Sequence, residues 1–118
     1  MDELAFPGRI GVCFDTCHAF AAGYELRTDE GLNGTLAQFD EQVGIKNLRA
    51  IHLNDTKGDR GSGLDRHEHI GMGFIGEDGF RRILHHTTFS PLPLVCETPV
   101  DDRRDDRGNI AKVRELAA

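Results

Sequence analysis

RIGVCFDTCH, residues 9 to 18, is the stretch that decides the fold. Ile10, Val12, Cys13 and Phe14 are apolar on both parities, a pattern that predicts a strand buried on both faces, as parallel strands are. Asp15 and His18 stand just past its C-terminal end, where α/β folds gather their chemistry. Two later runs end the same way. LRAIHL, residues 48–53, delivers His52, and LVCET, residues 94–98, delivers Glu97.

Working outward, residues 19–26 read as a helical turn or two interrupted by Gly23, and residues 28–34 as a loop with two glycines. Thr35 is the expected N-cap of a helix whose face is Leu36, Phe39 and Val43, with Gly44 placed to end it. After the second strand, residues 54–76 offer no obvious regular element. They include DRHEH (65–69) and GMGFIG (71–76), and loops of that length in a compact domain are usually functional or disordered. A helix is predicted over 77–86 on Phe80, Ile83 and Leu84, and Pro91 and Pro93 mark the turn that follows. DDRRDDR (101–107) reads as a solvated turn with internal ion pairs of little worth. A last amphipathic helix carries Ile110, Val113 and Leu116 or Ala117.

The order β-α-β-α-β-α predicts an α/β fold with parallel strands and right-handed crossovers, in one domain at most over 1–118. Three such strands make an uncomfortable domain, because a complete (β/α)₈ barrel takes about 250 residues. The expectation is a fragment, or half of something that pairs, with open strand edges that favour self-association.

The composition narrows the class. No apolar run is long enough for a membrane span, and MDELAFPGRI has neither the basic start nor the apolar core of a signal peptide, so a cytoplasmic protein with no membrane partner is expected. Three cysteines without a CxxC pair predict reduced thiols, read as small buried apolar residues. A net charge of −6 argues against a nucleic-acid partner. Metal ions on Asp15, Asp65 and Glu97 would cancel three of those charges, leaving about −3 for the remaining surface.

Three imidazoles and three carboxylates carry the chemistry: Asp15, His18, His52, Asp65, His67 and Glu97. Mixed nitrogen and oxygen donors suit zinc, with manganese or iron as alternatives, and Asp65 and His67 are spaced to face one ion from an extended loop. His69, His85 and His86 read as surface residues. GMGFIG satisfies GxGxxG but follows HEHI rather than a strand, so it is not expected to bind a dinucleotide.

IGVCFDTCHAFAAGYELRT, IHLNDTKGDRGSGLDRHEHIGMGFIG and PLVCET resemble the last three βα units of endonuclease IV, the zinc-dependent apurinic/apyrimidinic endonuclease on a xylose isomerase-like TIM barrel. The resemblance covers nearly the whole chain after about residue 8. It implies three zinc ions in the full enzyme, one on Asp15, His52 and Glu97 and another on His18, Asp65 and His67. It also implies duplex DNA with an abasic site as substrate, cleaved on the 5′ side, with Arg66, Gly71 and Gly73 facing the DNA. The family has two further histidines and a bridging glutamate on earlier strands, and nothing upstream of Arg9 supplies them. At most one complete site is therefore expected, in a chain inactive alone. The alternatives are a metal-dependent sugar isomerase or epimerase of the same barrel superfamily, or a non-catalytic metal-binding remnant.

Overall fold

The computed structural model describes residues 11–118. Arg9 and Ile10, expected to open the first strand, lie outside the described residues. Strand β1 (Val12–Asp15) pairs in parallel with β2 (Leu48–His52), which pairs in parallel with β5 (Leu94–Val95), giving the order β1-β2-β5. Helices α1 (Thr16–Ala21), α2 (Asp29–Gln42), α3 (Gly76–His85) and α4 (Asp106–Ala117) complete the frame, and α3 packs on α4. The fold is the expected α/β arrangement, and among the described residues the three parallel strands close no barrel.

Among the described residues, only one face of this sheet is covered. Phe14, Ile51 and Leu53 join the core with Phe20, Leu36, Phe80, Ile83 and Phe89, whereas Cys13 and Val95 are exposed. The expectation of burial on both faces is corrected accordingly: the apolar parity that includes Cys13 faces solvent. The third strand is shorter than the run 94–98. Leu53 N donates to Val95 O, but Glu97 N donates to the Asn54 side chain, so the ladder gives way to a side-chain contact past Val95.

The helix expected from Thr35 begins earlier. Thr28 is the N-cap, accepting from Gly31 N at 2.9 Å, with Asp29 and Glu30 in the first turn, where the helix dipole favours them. Leu32 then joins Leu36 on the buried face, and the Thr35 hydroxyl donates to Glu25 O at 3.0 Å. Glycines at 31 and 34 disguise this first turn as loop.

The long segment after β2 is not irregular either. Strand β3 (Asp55–Thr56) pairs antiparallel with β4 (His67–Glu68). Its organiser is the buried Asp55 carboxylate, which accepts from the N–H groups of Thr56, Gly71, Gly73, Ile75 and Gly76 at 2.8 to 3.2 Å. Burial raises its pKa, and these donors pull it back. Gly71 holds φ +88°, and a Cβ at Gly73 would lie 2.6 Å from Asp55 Oδ1. The glycines thus serve a close approach inside the protein.

The charge run 101–107 is the exposed turn expected, with an internal Arg103–Asp101 ion pair, whereas the surface reading of His69 is corrected. His69 is fully buried, its Nε2 2.8 Å from Asp101 Oδ1 and its Nδ1 2.9 Å from Asn109 Nδ2. Asn109 Oδ1 accepts from Ile70 N and Arg104, so the amide nitrogen faces the ring and the proton sits on Nε2. Arg103 bridges Glu68 and Asp101, and holds the Asp101 carboxyl well below the usual carboxylate range. What reads as a solvated turn therefore ties α4 to β4.

Two outcomes follow for stability. Asp55→Ala leaves several buried N–H groups without an acceptor, each worth about 1–3 kcal/mol; a loss of at least about 3 kcal/mol is expected in urea unfolding, with the m value unchanged. Glu25 accepts from Leu26 N, Arg27 N and the Arg27 guanidinium, and the Arg27 side chain above all draws its pKa from 4.5 to about 2. A depressed carboxyl pKa adds stability above the unfolded value that is lost as pH falls toward the folded one. The stability gap between wild type and Glu25→Gln should be full above pH 4.5 and gone by about pH 2, read from urea midpoints across that range.

Candidate metal centre

Register brings the first set of residues together. Asp15 lies opposite His52, and His52 opposite Val95, with Glu97 two residues further along. Side chains two apart in an extended chain share a face, so all three point to one side of the strand ends. Their ligating atoms lie within 4.8 Å of one another, and His52 Nδ1 is 3.4 Å from Glu97 Oε1. Neighbouring side chains fix this rim. The Thr16 hydroxyl donates to Asn54 O at 2.7 Å and accepts from Asn54 N at 2.9 Å, locking the end of β1 to the end of β2. Asn54 Oδ1 accepts from Glu97 N at 2.8 Å and adds the third strand end, while its Nδ2 has no protein partner among the described residues. Asp15 also caps α1 through His18 N.

A second cluster forms where α1 meets β4. His18 Nδ1 lies 3.0 Å from Asp65 Oδ2, and this bond is the first cause of the lowered Asp65 pKa. His67 Nδ1 donates to the Glu97 carbonyl at 2.8 Å, which leaves the Nε2 lone pair for another partner. The ligating atoms of Asp65 and His67 also fall within 4.8 Å of Cys17 Sγ. Burial pushes the Cys17 thiol up to about 12. Sequence reasoning places Cys17 among small buried apolar residues; its one signal is its position beside His18 in DTCH.

The donor chemistry fits divalent ions. Among the described residues no Lys or Arg comes within 4.0 Å of Asp15, Asp65 or Glu97, and the ion pairs these carboxylates do make are with histidines. Two carboxylates about 4 Å apart repel by about 4 kcal/mol at an effective dielectric of 20, a term that a dication reverses. One carboxylate pair with an imidazole, and a second site of mixed donors, form sets that such ions take.

The expected DNA-facing residues divide. Arg66 is exposed, and its guanidinium has no partner among the described residues, while its carbonyl accepts from Lys57 N. The N–H groups of Gly71 and Gly73 both donate to Asp55 Oδ2 and are committed inside the protein. The loop instead turns Met72 and Phe74 outward. His85 is exposed as expected and donates its Nε2–H to Ala117 O, while the half-buried His86 donates its Nε2–H to Asn33 Oδ1.

Residues 1–117 match the family described as xylose isomerase-like TIM barrel. The chain belongs to that family. Within it, the chain is 68% identical over 117 residues to the probable endonuclease 4 of Methanoculleus marisnigri, covering 99% of this chain and 42% of that protein. It is 60% identical over 116 residues to the probable endonuclease 4 of Methanosphaerula palustris, covering 98% and 41%. The crystal structure of endonuclease IV from Thermus thermophilus superimposes with a TM-score of 0.73 at 36% identity, over 90% of this chain and 37% of that one. The chain thus spans about two fifths of the length of the family members it matches. No helix of the described residues is long and apolar enough to cross a membrane.

Asn54 holds the rim without offering a ligand. Asn54→Ala should cost about 1–3 kcal/mol in chemical unfolding and weaken metal binding at Asp15, His52 and Glu97, because Glu97 N loses its buried acceptor. Isothermal titration of the variant against wild type reads the second effect.

Proposed function

We propose that this chain supplies metal-binding strand ends to a zinc-dependent phosphodiesterase of the endonuclease IV type, which hydrolyses duplex DNA on the 5′ side of an abasic site. The observation that carries this reading is the convergence of Asp15, His52 and Glu97 from three consecutive parallel strands onto one rim. The relatives' names, probable endonuclease 4, support a nucleic-acid substrate. Manganese is the second choice of ion.

A bound zinc ion would activate water near neutral pH and offset charge on the oxygens of a phosphodiester. The chain's own residues hold and orient. Asp15, His52 and Glu97 are proposed to hold one ion, and Asp65 and His67 another beside His18. The bond from His67 to the Glu97 carbonyl couples the two sets, so moving one shifts the other. Arg66 offers an exposed cation to a phosphate, and no side chain need serve as nucleophile. Because the chain spans about two fifths of its relatives, hydrolysis is assigned to a barrel completed by further strands. Alone, the 118 residues are expected to bind metal without efficient nicking.

Elemental analysis of the purified chain tests this. At least one zinc per chain is expected, with a lower content in His52→Ala and in His67→Ala. Affinity should fall as pH drops through about 6.5, where histidine ligands take up protons. Absence of zinc from all three proteins, or its retention unchanged at about pH 4, would overturn the ligand assignment. Efficient zinc-dependent nicking of an abasic duplex by the isolated chain would overturn the requirement for further strands.

A further inference from the structure

We propose that Arg60 is a positioning residue for the second metal site, clasping the loop that delivers Asp65 and His67 to the C-terminal end of the helix that carries His18. This role rests on the reading above that Asp65 and His67 hold an ion beside His18, and adds to it what keeps those side chains in place.

Asp65 sits where little else can hold it. Residues 59–66 are all exposed, so core packing does not fix them, and a segment of that kind opens locally at low cost. The loop is fastened to α1 instead. Gly61 N donates to Phe20 O at 3.0 Å and Gly63 N donates to Ala21 O at 3.0 Å, which brings donors to the last carbonyls of α1, where a helix runs out of its own. His18 lies two residues before Phe20, and Asp65 lies two residues after Gly63. The clasp therefore spans a short path between them, and His18 Nδ1 meets Asp65 Oδ2 at 3.0 Å.

Arg60 ties this contact down. Its Nη1 donates to Gly23 O at 3.1 Å, and its Nε lies 3.5 Å from Glu25 Oε2. Glu25 is itself fixed, since it accepts from Leu26 N, Arg27 N and the Arg27 guanidinium. Arg27 returns the contact, with Nη1 3.9 Å from Asp59 Oδ1 and its guanidinium 4.9 Å from the centre of the Phe20 ring. Two neighbours on the loop, Asp59 and Arg60, thus face Arg27 and Glu25 beyond α1, opposite in sign in each pair. Exposed ion pairs add little to overall stability, so removing one leaves the fold standing. What changes is population. A loop that fluctuates presents Asp65 to an ion only part of the time, and apparent affinity falls by that fraction.

Zinc titration of the full chain in two backgrounds tests the role of Arg60. In His52→Ala, which removes a ligand of the first site, adding Arg60→Ala should lower zinc affinity at the second site roughly fivefold or more. Arg60→Lys, which keeps a cationic donor, should restore part of the loss. In His67→Ala, which removes a ligand of the second site, adding Arg60→Ala should leave zinc affinity at Asp15, His52 and Glu97 unchanged. Amide exchange in the metal-free chain reads the clasp itself. The Gly61 and Gly63 N–H groups should exchange faster in Arg60→Ala, with the urea midpoint at its wild-type value. Unchanged exchange at both glycines would overturn the clasp, whatever zinc does. Faster exchange with unaltered zinc affinity in the His52→Ala background would overturn the positioning role. Equal weakening of zinc binding in both backgrounds, with a lowered urea midpoint, would overturn it as well, by making Arg60 a general support of the fold. If His52→Ala takes up no zinc while exchange still responds to Arg60→Ala, the second metal site is overturned and the clasp alone stands.

Discussion

Among the described residues, one buried carboxylate without a cationic partner organises the segment that brings Asp65 and His67 to the strand ends. Asp55 gathers N–H groups from its own neighbour and from residues 71–76, and so folds the long segment after β2 back onto the strand ends. A buried anion is normally costly, yet several converging backbone dipoles replace the water it leaves. The result is a loop with fixed geometry. His67 lies on β4 with Asp65 just before it, and β4 is where Asp55 put it.

The second constraint is sheet register. Parallel pairing sets Asp15 beside His52 and His52 beside Val95, and the two-residue period of an extended chain then returns Glu97 to the same side. A slip of one residue in any strand would turn one of these side chains to the covered face. Thr16 and Asn54 guard against that slip, since their reciprocal bonds span the ends of β1 and β2 at the point where backbone pairing stops.

These two constraints explain how much of the molecule is legible beforehand. Strand ends can be read because an apolar run followed by Asp or Glu is a local pattern, and the motifs around Asp15, His52 and Glu97 resemble one family. The start of α2 cannot, because Gly31 and Gly34 speak for loop while the capping by Thr28 and the burial of Leu32 decide for helix. Residues 54–76 hide their order because its organising partner, Asp55, lies at one end of the segment and its donors at the other. His69 and the charge run 101–107 illustrate the same limit. Each is polar in isolation, and only packing of α4 against β4 buries His69 between Asn109 and the exposed Asp101. Cys17 escapes for a different reason: its burial follows from its residue type, but what else is buried beside it does not.

The uncovered face of the sheet gives the metal rim an adjustable environment. With Cys13 and Val95 wetted, the rim formed by Asp15, His52 and Glu97 borders water, whose high dielectric softens every charge term there. Whatever polypeptide came to lie against that face would dry it and sharpen those terms without touching a ligand. Attraction between the rim carboxylates and a cation would strengthen, as would their mutual repulsion without one. For an ion held there as proposed, affinity would depend partly on the company the sheet keeps, so that assembly would bear on metal loading.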